Sequence, residues 1–205
     1  LWLFFSKILL LIFLIVASYH FGKEDSEFIN NKSNFELIYF FKGSLVITAP
    51  LLFHKNETLN IFNDLKFDIS QSLFISNEFL YILIAISLFA SFIISSNKQI
   101  DIKSILLMDF ISILLLNYFL NPILAFTIYF CFLHSIRHSF KLSNELNKKN
   151  FIKGLKEFLI KAIPLTILTA ILFLIFLFFL NKYYFFDKAK SKVIFIGLAS
   201  LTFPH

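Results

Sequence analysis

The sequence predicts an all-α fold: a polytopic transmembrane helical bundle of about seven helices, forming a single integral membrane domain over residues 1–205. Three observations predict it. Hydrophobic residues make up 58% of the chain and charged residues only 16%, with a mean hydropathy of +0.79, whereas a soluble domain averages about 25% charged residues. The 31 Phe stand against four Gly and four Pro. Finally, Phe79–Asn97, Phe110–Ile136 and Ala162–Asn181 carry no charge, and a helical span needs roughly 20 such residues.

The segments follow in order. The first, near 3–20, has Lys7 ahead of its apolar run and ends on Tyr19-His20; a signal peptide is the alternative, but no small-residue cleavage site follows. The second, 35–53, is interrupted by Lys42, Gly43 and Pro50 and is the least regular. The third and fourth cover 78–96 and 103–120, the fourth with Asp109 inside it; the fifth, 122–138, opens on Asn121-Pro122. The sixth and seventh cover 162–181 and 193–205. Between them, 139–161 is the most polar connection, with an amphipathic interfacial stretch expected over Phe151–Ile160. Both ends fall inside apolar runs, Leu1 without a Met and His205 about 13 residues into a segment, or roughly 20 Å of helix, so further segments are expected at both ends of the natural protein.

The net charge is +6 with a pI near 9.3, but its distribution points to a membrane rather than to nucleic acid, since no basic patch is interleaved with aromatics. With alternating segments, eleven cations (Lys23, Lys32, Lys98, Lys103, Arg137, Lys141, Lys148, Lys149, Lys153, Lys156, Lys161) share one side. Six (Lys55, Lys66, Lys182, Lys188, Lys190, Lys192) share the other. The richer side is expected to be cytoplasmic in a multi-pass cell-membrane protein. No internal repeat, Gly-rich phosphate loop or Pro-rich linker appears, which argues against ATP binding and separate soluble domains.

The chemistry-bearing feature is Cys131-Phe-Leu-His-Ser-Ile-Arg-His138, in which His134 and His138 lie four apart and so on one helix face. The topology sets His20, His134, His138 and His205 at similar depth, and places His54 at the opposite end of segment two. Ionisable groups within spans are costly and are by default functional candidates. Asp109 is expected either to orient a ligand by accepting an imidazole N–H or to sit near the interface. Arg137 reads equally as a snorkelling charge, and the single Cys131 as a core residue that excludes a disulfide within the chain. Imidazole suits iron, zinc, copper and nickel alike. A zinc peptidase would want the Glu of His-Glu-x-x-His, and here Ser135, Ile136 and Arg137 intervene, so oxygen chemistry on an apolar substrate fits better than hydrolysis.

Four histidine contexts, Ser18-Tyr-His-Phe-Gly22 followed by Glu24-Asp25, Pro50-Leu-Leu-Phe-His54, His134-Ser-Ile-Arg-His138 and Gly197-Leu-Ala-Ser-Leu-Thr-Phe-Pro-His205, together resemble the Brp/Blh family of microbial membrane β-carotene 15,15′-dioxygenases. The order and spacing agree over essentially the whole chain. The resemblance implies an Fe(2+)-dependent enzyme that splits the central double bond of β-carotene with O₂ to give two retinal molecules, the product then serving a microbial rhodopsin. It implies iron held by four histidines, of which three fall on His20, His134 and His138; the fourth, in a Pro-His-Gly context, would precede this sequence. His205 is then expected beside the site rather than on the metal, and Phe126, Phe130 and Phe132 have the character of walls for a conjugated chain. Two other classes compete: a transporter or assembly protein whose histidines relay protons or ions, and a di-iron lipid desaturase or hydroxylase, which would need more than the five histidines present.

Overall fold

A computed structural model describes residues 6–26, 36–64, 76–96 and 99–202. Every regular element among the described residues is helical, as the composition requires: in hydrocarbon each backbone group must find its partner within the chain, and a helix does this segment by segment. The order is α1 (Ser6–Glu24), α2 (Glu36–Gly43), α3 (Leu45–Phe53), α4 (Lys55–Asp64), α5 (Asn77–Ser95), α6 (Ile100–Phe119), α7 (Pro122–Ile128), a π-helical segment (Tyr129–Ser135), α8 (Ile136–Leu146), α9 (Phe151–Asn181) and α10 (Phe186–Thr202). Among the described residues, five helices are long and apolar enough to cross a membrane: Glu36–Phe53, Asn77–Ser95, Ile100–Phe119, Pro122–Leu146 and Phe151–Asn181. They correspond to predicted segments two to six. Segments one and seven are also helical where described, while His205, Lys32 and Lys98 lie outside the described residues.

Local chemistry explains the boundaries. Ser76 caps α5 by accepting from Phe79 N–H at 3.3 Å, Asn121 caps α7 by accepting from Leu124 N–H at 2.9 Å, and Asn150 caps α9 by accepting from Lys153 N–H at 3.1 Å. Pro122 stands in the first turn of α7, where its missing N–H costs nothing. The irregularity expected in segment two is a jog at Ser44, whose N–H still bonds Phe40 C=O at 3.0 Å, so α2 and α3 form one interrupted span. The connection over 139–161 is helical for most of its length. The interfacial stretch over Phe151–Ile160 is the first part of the 31-residue α9, because the apolar run beyond it continues the same helix. Much of the preceding loop is α8.

The chain divides into two compact units, Leu1–His134 and Ser135–His205. In the first, α1 packs on α2, and α2 and α3 pack on α5 and α6. Ile94 and Leu106 are buried together under Ile38, Tyr39 and Ile102. Ser87 of α5 donates to Lys42 C=O at 3.1 Å, tying the interrupted span to its neighbour by a backbone acceptor. In the second unit α9 packs on α8 and α10, with Gly154 against the Ser143 carbonyl.

Close approach is what glycine supplies here. A Cβ on Gly22 would overlap the Tyr39 carbonyl, and one on Gly43 the Ser18 carbonyl, so α1 and α2 cross backbone to backbone, as small residues allow in membrane bundles. Cys131 is exposed, against its expected core position: it projects outward from a helix whose opposite face carries the buried Tyr129 and His134. Gly22→Ala and Gly43→Ala are each expected to lower stability by about 1–3 kcal/mol. In detergent-solubilised protein their unfolding midpoints should fall below that of Gly197→Ala, a site where an added Cβ meets nothing within 4 Å among the described residues. Equal midpoints for all three would disprove the crossing.

Candidate metal centre

His134 is the buried focus of the first unit, 7% exposed, near the middle of the helical span Pro122–Leu146. Its Nδ1 lies 3.0 Å from Asp25 Oδ1. The other carboxylate oxygen, Oδ2, accepts from the Tyr129 hydroxyl at 2.6 Å. Asp25 follows the last turn of α1, and its backbone carbonyl in turn accepts from Lys42 Nζ at 3.1 Å, which also donates to Ser26 Oγ at 2.7 Å. Three chain segments thus meet at one carboxylate. Burial alone pushes the Asp25 carboxyl up; the hydrogen bond with His134, the charge of Lys42 and the Tyr129 hydroxyl outweigh it and hold the group below its ordinary value. An ionised carboxylate only accepts, so His134 donates to it through Nδ1–H.

Around the ring the surroundings are aromatic. His20 meets His134 edge-on, with centroids 5.4 Å apart. Phe21 stands perpendicular at 5.1 Å and Phe130 stacks at 5.5 Å. Phe126 stacks in turn on Phe130 at 5.8 Å. Phe132 is 63% exposed, so of the three phenylalanines singled out as walls only Phe126 and Phe130 belong to this cluster. Behind Asp25 lies a cavity of about 20 Å³, lined among others by Lys42, Ser87, Ser91 and Asp109, room for a water or two.

The structure therefore brings together His20 and His134 of the expected set. His138 is half-buried in α8 of the second unit, four residues along the chain. His54 caps α3 through its N–H to Pro50 C=O at 2.9 Å, twelve residues and about 18 Å of helix beyond Lys42, at the far end of its span as expected. Its Nδ1 lies 3.9 Å from Glu57, too far for a hydrogen bond. Asp25 reaches the His134 imidazole, and Asp109 lines the adjacent cavity.

Asp25, Tyr129 and Lys42 were not legible as site residues. The signals existed: a lysine inside an apolar segment needs an internal partner, and an acidic residue one turn past His20 is a candidate for it. Among the described residues no three His, Cys, Asp or Glu side chains form a ready ligand group. What is present nonetheless fits an imidazole-held ion: two facing imidazoles, one with its second nitrogen taken by a carboxylate, which is how metal-bound histidines are commonly supported.

The fold and the site define a polytopic helical membrane protein with a buried histidine centre in apolar, aromatic surroundings. Comparison with known proteins places it further: the family described as Beta-carotene 15,15'-dioxygenase matches residues 1–205, and the chain belongs to that family of carotenoid-cleaving dioxygenases. A Beta-carotene 15,15'-dioxygenase from Uncultured marine bacterium 66A03 is 30% identical over 201 residues, which is 96% of this chain and 69% of that relative. No solved structure matches.

Lys42→Met keeps the volume but removes the donors to Asp25 C=O and Ser26 Oγ. It should lower stability by about 1–3 kcal/mol, the cost of leaving buried acceptors unpaired, read as a lower unfolding midpoint; a midpoint equal to wild type would show that these bonds contribute nothing net.

Proposed function

We propose that the protein is an Fe(2+)-dependent dioxygenase that cleaves the central 15,15′ double bond of β-carotene with O₂ to give two retinal molecules, with iron held by His20, His134 and His138. The observation that carries the reading is the edge-to-face pair of His20 and His134, with His134 backed through Nδ1 by Asp25. Family membership supplies the substrate class.

Iron(II), when bound, supplies the activation of O₂ that a spin-paired polyene cannot achieve unaided. The chain's residues do the rest. His20 and His134 bring two imidazoles together, and His138 follows His134 at the spacing that places residues on one helical face. Phe21 and Phe130 flank the imidazole and Phe126 stacks on Phe130, which disfavours water and suits a conjugated hydrocarbon. The overall conversion balances without an added proton or electron pair: one C=C bond and one O₂ become two C=O bonds. A buried, dry site is therefore compatible with the whole reaction.

The substrate is insoluble in water, so the lipid bilayer is its route to a site held between spanning helices. We place the protein in the cell membrane as a multi-pass protein with the lysine-rich connections cytoplasmic, handing retinal to a microbial rhodopsin.

The decisive experiment expresses the protein in cells that accumulate β-carotene, follows loss of orange colour with retinal identified by chromatography, and measures iron per chain. One iron and retinal as the product are expected. His20→Ala, His134→Ala and His138→Ala should each abolish both, and His54→Ala should retain iron. Unchanged β-carotene with inserted, iron-loaded protein would reject the reaction, and two irons per chain would favour di-iron chemistry.

A further inference from the structure

The seven residues Tyr129–Ser135 are wound as a π-helix, and this winding has a local consequence. On an α-helix, residues five apart diverge by about 140°, so Tyr129 and His134 would address different neighbours. The i→i+5 hydrogen bonding of a π-helix sets such residues nearly above one another. Here both address one carboxylate, Tyr129 through Oδ2 at 2.6 Å and His134 through Oδ1 at 3.0 Å.

Each oxygen of Asp25 is thus engaged separately, which fixes the carboxylate plane, and the Lys42 ammonium holds the backbone of the same residue by its carbonyl. Phe130 stacks on one face of the imidazole and Phe21 meets it perpendicularly. Rotation of the His134 ring about its side-chain bonds would break the Asp25 bond and collide with one of these rings.

We propose that Asp25, clamped by Tyr129 through the π-helical turn, is the positioning residue of the centre: it fixes the tautomer and ring plane of His134, so that Nε2 is the nitrogen offered to the metal and offered in one orientation. This rests on the iron reading of the site given above. The carboxylate itself stays off the metal, and the clamp makes His134 a stronger donor by polarising its Nδ1–H bond.

The test is anaerobic titration of the purified protein with Fe(II), together with the electron paramagnetic resonance spectrum of the Fe(II) nitric oxide adduct and the unfolding midpoint of the metal-free protein. Asn is nearly isosteric with Asp and still accepts from Nδ1–H, but it lacks the charge. Asp25→Asn should bind Fe(II) about 10–100-fold more weakly and give an adduct spectrum of altered symmetry. Tyr129→Phe removes one hydroxyl and leaves the ring; it should weaken binding by about threefold to tenfold with a spectral shift in the same direction, and it decides the matter if Asp25→Asn does not fold. A carboxylate that merely ties helices together would move the unfolding midpoint and leave affinity and spectrum as in wild type, and that result in both variants would overturn the proposal. Absence of Fe(II) binding by the wild-type protein would instead overturn the iron reading, before any variant is compared.

Discussion

A carboxylate enclosed by apolar helices has to be met largely by donors of the chain itself, because little solvent is there to meet it. Asp25 imposes this constraint on the first unit. Its two oxygens are taken by Tyr129 and His134, and its carbonyl by Lys42. These donors come from two places in the chain and the acceptor from a third, so α1, the interrupted span α2–α3 and the π-helical segment are held in one register by polar groups. Dispersion contacts among leucines and phenylalanines permit many registers, whereas the pairing of one acceptor with these donors permits few.

The apolar architecture provides for that pairing. Lys42 reaches the end of α1 because Gly22 and Gly43 let two backbones cross without side chains between them. The carbonyl of Lys42 is taken by Ser87 of α5, so the same residue is tied at both its backbone and its ammonium. In a bilayer, where lipid tails compete on equal terms with leucine for apolar contact, close backbone packing and such interhelical hydrogen bonds supply much of the specificity of assembly. The exposed apolar surface of α9 has a different origin: that helix presents its leucines, isoleucines and phenylalanines outward along most of its length, as a span does when its surroundings are hydrocarbon.

Much of this was legible in the sequence, and the reason is the bilayer. A span advertises itself by length and lack of charge, and the break at Asn121-Pro122 and the irregularity near Gly43 are written in residues with one or two backbone meanings. The paired histidines were visible for the same reason, being expensive in an apolar run. The supporting groups were not. Asp25 follows Glu24 beside a predicted span end, where acidic residues are ordinary, and Tyr129 sits among aromatics of every kind. Their role appears only when a π-helical turn replaces the expected α-helical periodicity. No residue in Tyr-Phe-Cys-Phe-Leu-His-Ser forces such a turn by local propensity. It is selected by tertiary pairing with Asp25, which a reading of one segment at a time does not contain.

The network's geometry also bears on its purpose. Buried acids and histidines in transporters pass protons along a chain in which each group donates to the next. Here two donors, the Tyr129 hydroxyl and the His134 Nδ1–H, converge on one acceptor. Splitting an alkene with O₂ into two carbonyls has no use for a proton relay. It has use for a fixed imidazole in a dry pocket, because the site must exclude water from a hydrocarbon substrate while keeping a polar group at its centre. A fully paired carboxylate beneath the imidazole meets both requirements: its charge is neutralised by donors already built into the helices, and the face toward the aromatic cluster remains apolar.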